Sequence, residues 1–220
     1  MKPKWDAIFR ALVKWREKLT EQDPSVTTVA ESYSHDPWAV LVSTILSLRT
    51  KDEVTLIASK RLLEKAPGPA ELAKMKEEKV AELAYPAGFY RTKAASLKKI
   101  ANILLEKYSG KVPPDMDALL ELPGVGRKTA NLVLIEAFDK PGVCVDIHVH
   151  RITNRCGWLC SKTPDETEII LREILPQKYW KSINSMLVLY GQKLCRPISP
   201  FCSICVIKNH CERNNVDSSR

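Results

Sequence analysis

The string Leu122-Pro123-Gly124-Val125-Gly126-Arg127-Lys128-Thr129-Ala130 sets two glycines and two cations across one turn between helical segments. Both glycines can adopt positive φ, where consecutive backbone amides are exposed together and can grip a phosphate. The helix opening at Arg127 adds its unpaired N–H groups and the positive end of its dipole. On a nucleic acid such a grip is sequence-independent, because phosphate contacts position a protein and base contacts specify it. An ordinary helix–helix turn with Gly as its stop signal fits the same string. Lys128 lies in the first turn, where the dipole and Arg127 both disfavour a charged ammonium. A free amine there can attack an electrophilic carbon and form a Schiff base; a phosphate-binding lysine is the plainer alternative. Eighteen residues later, Asp146 in Val143-Cys144-Val145-Asp146-Ile147-His148-Val149-His150-Arg151 follows a short apolar run and is placed to cap a new helix. A capping carboxylate also serves chemistry if it faces a cleft.

Cys195, Cys202, Cys205 and Cys211 form C-x6-C-x2-C-x5-C, four soft ligands within seventeen residues. Four thiolates suit either zinc or an iron–sulfur cubane, and the chemistry alone leaves both open. The loop between the first two carries Arg196, with Lys193 just before it, and is read as a basic finger for DNA phosphate. Cys144, Cys156 and Cys160 lack comparable spacing and are expected to be small core residues.

These groups need a scaffold, and the periodicity is helical throughout. Trp5, Ile8, Phe9, Leu12 and Val13 recur at helical spacing in an amphipathic segment over 4–18 that ends before Pro24. Asp36 then Pro37 reads as an N-cap and first helical residue of a nearly all-apolar, buried helix through Leu46. Further helical periods cover 52–65, 70–75, 77–85, 91–107, 115–121, 127–138, 146–157, 164–174 and 179–190, with breaks such as Pro67-Gly68-Pro69 and Pro113-Pro114. No alternating strand pattern emerges, so the expected class is all-α. The polar tail after Cys211 is expected to fray.

Composition agrees with a folded, polyanion-binding protein. Of 220 residues, 45% are hydrophobic and 27% charged, enough apolar material for a core. Lys plus Arg is 34 and Asp plus Glu 26, and the resulting net charge of +8 favours nucleic acid over an acidic membrane surface. No apolar run approaches the roughly 18–20 residues of a membrane span. Charges at Asp6, Arg10 and Lys14 interrupt any secretory apolar region. A reducing intracellular compartment is therefore expected, in which the crowded cysteines read as metal ligands rather than disulfides.

The strings LPGVGRKTAN and VDIHVHRITNRCGW together resemble the endonuclease III family of helix-hairpin-helix DNA glycosylases, and the resemblance runs from about Asp36 to Cys211. It implies a helical barrel lobe at 30–140 bearing the hairpin and Lys128, and a second lobe of 1–29 and 141–220 with a [4Fe–4S] cluster on Cys195, Cys202, Cys205 and Cys211. It also implies that Lys128 is the Schiff-base nucleophile and Asp146 the carboxylate that assists base departure. Monofunctional relatives carry another residue at the lysine position. Gly124, Val125, Gly126, Arg127, His148 and Arg196 become expected DNA contacts. His148 is preferred to His150 because it stands beside the aspartate. The expected partner is double-stranded DNA with a damaged base or abasic site, bound by a monomer in a prokaryotic, nucleoid-associated cytoplasm.

Two positions depart from the family. Leu46-Ser47-Leu48-Arg49-Thr50-Lys51-Asp52 resembles L-S-x-Q-x-x-D with Arg49 replacing the glutamine that fills the gap left by a flipped base. Ser47 and Asp52 are retained and expected to line or brace the pocket. Ala87-Gly88-Phe89-Tyr90-Arg91-Thr92-Lys93-Ala94 resembles G-L-Y-x-x-K-A with Phe89 as the wedge. An aromatic wedge stacks between bases, an arginine favours guanine acceptors, and a surface arginine with a core phenylalanine are the plainer alternatives. Oxidised pyrimidines lead as substrates; a mismatch or deaminated base on the same scaffold, or a non-catalytic iron–sulfur DNA-binding protein, are the rivals.

Overall fold

The computed structural model describes residues 3–19 and 25–220, and among these it contains helices and no strand. Pro24, expected to stop the first helix, lies outside the described residues. The chain divides into two compact units, Gln22–Gly142 and Met1–Glu21 with Val143–Arg220.

The unit Gln22–Gly142 is built around an apolar rod. Asp36 accepts a hydrogen bond from Ala39 N at 2.8 Å, capping a helix that has Pro37 in its first turn. Every residue of that helix from Trp38 to Leu46 is buried. In chain order the unit holds α1 (Ser25–Ser32), α2 (Pro37–Ser47), α3 (Asp52–Lys65), α4 (Pro69–Lys74), α5 (Glu77–Ala84), α6 (Tyr90–Tyr108), α7 (Met116–Leu120) and α8 (Arg127–Phe138). The rod α2 packs on α1, α3, α6 and α8, so its sides are covered by helices. Each fully buried aliphatic side chain along it, such as Leu41 or Ile45, contributes roughly 1.5–3 kcal/mol of hydrophobic stabilisation.

No helix was expected at 25–32, because Ser25-Val26-Thr27-Thr28-Val29-Ala30 mixes hydroxyls and β-branched residues of modest helix propensity. Tertiary packing overrides propensity here: Val26, Val29 and Ala30 are buried in the same core as α2. The expected lobe boundary at 29/30 consequently falls inside α1.

The other unit combines an N-terminal helix, α9 (Trp5–Arg16), with α10 (Ile147–Arg155), α11 (Pro164–Ile174) and α12 (Ile183–Lys193). Trp5, Ile8, Phe9 and Leu12 are buried, whereas Val13, expected on the same face, is 42% exposed. Phe9 stacks on Tyr179 at 3.9 Å between ring centroids, and Trp5 meets Trp158 edge-on at 5.2 Å. The segment expected as a helix over 179–190 is instead a 3-10 turn at Gln177–Tyr179 followed by α12. No helix is long and apolar enough to cross a membrane among the described residues.

Candidate active site and nucleic-acid interface

The hairpin consists of α7, a turn through Leu122–Gly126, and α8. Val125 N donates to Leu122 O at 3.1 Å, which closes the turn, and Gly124 takes φ +81 as its role requires. Gly126 makes no use of that freedom. It lies at φ −98 and ψ 179, ordinary extended backbone, and acts as the N-cap of α8 without any side-chain cap. Nothing lies within 4 Å of a Cβ built on it, so neither its backbone conformation nor a protein neighbour demands glycine. Open space beside a helix N-terminus is what close approach of a phosphate needs. Val125 is buried, Arg127 and Lys128 are half-buried, and Lys128 is the second residue of α8.

Asp146 stands at the head of α10 as its N-cap. Its Oδ1 accepts from His148 N at 2.8 Å and from Val149 N at 2.9 Å, leaving Oδ2 outside the cap. The carboxylate is half-buried. His148 contacts Arg151, whose Nη2 lies 3.0 Å from His148 Nδ1 and also donates to Cys195 O at 2.9 Å. A guanidinium only donates, so Nδ1 accepts and a neutral ring carries its hydrogen on Nε2. His150 Nδ1 lies 2.7 Å from Thr167 Oγ1, an internal tie.

Arg49 and Phe89 are brought together. The Arg49 guanidinium carbon lies 5.6 Å from the Phe89 ring centroid, and Phe89 is 63% exposed, which removes the core-aromatic reading. Both take left-handed backbone, at φ 52 and 56, a conformation uncommon for bulky residues. Ser47 turns back on its own helix, donating to Thr44 O at 2.7 Å. Asp52 braces α3 against α1, accepting from Ser25 Oγ at 2.6 Å and Ser25 N at 3.2 Å.

Among the described residues, no three His, Cys, Asp or Glu side chains converge on a single metal ion. Cys195, Cys202, Cys205 and Cys211 nevertheless line one pocket with Tyr190 and Phe201. Burial pushes the Cys195 and Cys205 thiols up, while a hydrogen bond from Cys156 lowers Cys211 to about 6. Soft donors held in a mainly apolar pocket fit a cationic group bound through thiolates. Two further residues, unmarked by spacing, reach the sulfurs: Arg155 Nη1 lies 3.4 Å from Cys195 Sγ, and Tyr190 Oη 3.1 Å from Cys205 Sγ. Arg155 also donates to Arg196 O at 2.7 Å and Pro197 O at 2.9 Å, fixing the loop. Arg196 itself is exposed, over the Phe201 ring at 5.2 Å.

Two expectations about this region change. Cys160 is exposed rather than core, whereas Cys144 and Cys156 are buried as expected. The tail does not fray: Asn214 N donates to Arg155 O at 2.8 Å, and Arg220 N to Pro200 O at 2.9 Å. Main-chain pairing, which polarity does not report, holds it.

Residues 42–177 match the family model for the HhH-GPD superfamily base excision DNA repair protein. Endonuclease III of Thermotoga maritima is 51% identical over 177 residues, covering 80% of this chain and 83% of its own. Endonuclease III of Escherichia coli is 35% identical over 201 residues, covering 91% and 94%. A solved structure of a trapped endonuclease III–DNA covalent intermediate superposes with a TM-score of 0.77 at 34% identity, covering 81% of this chain and 84% of that one. The chain belongs to the HhH-GPD superfamily of base excision DNA repair proteins and, within it, to the endonuclease III family.

Proposed function

We propose that the protein excises oxidised pyrimidines from duplex DNA and then cuts the strand, with Lys128 as nucleophile and Asp146 as its electrostatic partner. The hairpin amides and Arg127 hold a phosphate, and Arg49 and Phe89 enter the duplex where the damaged nucleotide leaves the stack. Unstacking costs a few kcal/mol, least for a damaged base. Lys128 Nζ, as free amine, bonds to the sugar C1′ while the C1′–base bond breaks and the base departs with its electron pair. The negative charge of Asp146 offsets the positive charge developing on the sugar. Loss of a proton from nitrogen and ring opening give the imine. Removal of a C2′ proton then expels the 3′ phosphate, cutting the strand on that side of the lesion.

Cys195, Cys202, Cys205 and Cys211 would hold a [4Fe–4S] cluster. Bound there, it supplies a crosslink that keeps the Arg196 loop in shape.

The single observation that carries the reading is a lysine at the second position of the helix after the hairpin turn, in a chain of this family. Borohydride trapping tests it, on duplexes carrying an abasic site, an oxidised pyrimidine, uracil or 8-oxoguanine. The parent is expected to form a covalent adduct on the abasic and oxidised-pyrimidine duplexes, and Lys128→Ala to form none. Trapping on uracil alone would move the substrate to deaminated bases, which the Arg49 and Phe89 departures make worth including. An adduct that survives in Lys128→Ala would assign the nucleophile elsewhere.

A further inference from the structure

Lys93, in the first turns of α6, is only 6% exposed, and among the described residues no carboxylate lies beside it. Burial lowers its ammonium to about 8. A buried cation without a counter-charge is costly, and hydrogen bonds must compensate. Its Nζ donates to Leu46 O at 2.7 Å, Leu48 O at 2.5 Å and Thr50 Oγ1 at 2.9 Å, so all three ammonium hydrogens are used. Two of those acceptors are carbonyls at the C-terminal end of α2, left without helical partners. The third, Thr50 Oγ1, also accepts from Gly88 N at 3.0 Å and lies 3.2 Å from Leu48 O, to which it donates.

These bonds join two loops. One carries Arg49 between Leu48 and Thr50; the other carries Phe89 between Gly88 and Tyr90. The backbones are pressed together as well, since a Cβ on Gly88 would come within 2.4 Å of Arg49 O. Left-handed backbone at both Arg49 and Phe89 persists only where the surroundings over-determine it. Lys93 touches both sides of that constraint: its Nζ bonds the Arg49 loop, and its backbone N donates to Phe89 O at 3.0 Å.

We propose that Lys93 is a positioning residue that locks Arg49 and Phe89 into one preformed probe, so that the two enter the duplex as a unit. The proposal rests on the reading of Arg49 and Phe89 as DNA-probing side chains. It assigns Lys93 to discrimination, the step that opens a paired base, and not to bond breaking. A preformed probe avoids the ordering cost of arranging two long side chains at the moment of binding.

The test compares base release from a fully paired duplex holding an oxidised pyrimidine with cleavage of a single strand holding an abasic site, where nothing must be unstacked. Lys93→Met should slow release from the duplex about tenfold while single-strand cleavage stays within about twofold. Placed in an Arg49→Ala/Phe89→Ala background, Lys93→Met should add no further loss on the duplex. Thr50→Val tests the same joint with the amine still in place, removing the hydroxyl that accepts from both Lys93 Nζ and Gly88 N, should Lys93→Met fail to fold, and Thr50→Ser, which keeps the hydroxyl, should restore parental duplex rates. Equal losses on both substrates, or an undiminished Lys93→Met effect in the double-alanine background, would overturn the coupling. A parent that cleaves neither substrate would instead overturn the functional reading, and the coupling with it.

Discussion

A carboxylate that caps a helix and a carboxylate that stabilises a developing cation look alike in sequence, and Asp146 has the geometry for both. Oδ1 is committed to two backbone N–H groups of α10, which fixes the side chain, while Oδ2 stays outside the cap. The two roles separate chemically, because asparagine retains the acceptor but not the charge. Asp146→Asn is expected to melt close to the parent and to release base about 100-fold more slowly, at the lower end of what a positioned acid–base group contributes. Asp146→Ala loses the cap as well, at a further cost of about 1 kcal/mol of stability. Thermal melts with single-turnover kinetics decide it: if Asn and Ala destabilise equally and rates merely follow stability, Asp146 is a cap alone. Lys93 shows the opposite case: it falls within the G-x-Y-x-x-K-A string, yet nothing there announces its three acceptors, which lie more than forty positions away along the chain.

At the scale of elements, what could be read in advance followed from local signals. Asp36 with Pro37 marks the start of α2, and a continuous apolar run marks its burial, since both depend on neighbours in sequence. α1 could not be read because its helicity comes from Val26, Val29 and Ala30 packing on distant helices. The hairpin was half legible. The string identifies a turn before a helix, yet only backbone angles separate the glycine that needs positive φ, Gly124, from the one that does not, Gly126. This difference gives opposite expectations for one substitution. Gly124→Ala should cost about 1 kcal/mol through strained backbone. Gly126→Ala should melt like the parent but weaken DNA binding, because its Cβ meets no protein atom and occupies the approach to the α8 amides. Melting curves beside DNA-binding titrations at fixed salt check both; parental affinity in Gly126→Ala would show that no phosphate comes close there.

At the scale of the molecule, two separate hydrophobic clusters divide the work. Lys128, the hairpin, Arg49, Phe89 and Lys93 belong to the unit Gln22–Gly142, whereas Asp146 and the four cysteines proposed as ligands belong to the other. The crowded cysteines were plain in sequence, but the side chains that bind their loop to the fold were not. Arg155 reaches the loop from forty residues away, and Cys156, the next residue, accepts from Glu212 N at 3.1 Å through its carbonyl. Loop, tail and α10 thus form one hydrogen-bonded body around the four thiols. If the four thiolates hold the proposed cluster, removing its iron with a chelator under reducing conditions should raise amide hydrogen exchange across α10, the cysteine loop and the tail after Cys211. Amides of α2, α6 and α8 should keep their protection, because their core shares no buried residue with the other cluster. Exchange followed by mass spectrometry resolves the two sets of peptides. Uniform loss of protection would mean the metal supports the whole chain, and no loss anywhere would mean that Arg155 and the main-chain bonds hold the loop without it.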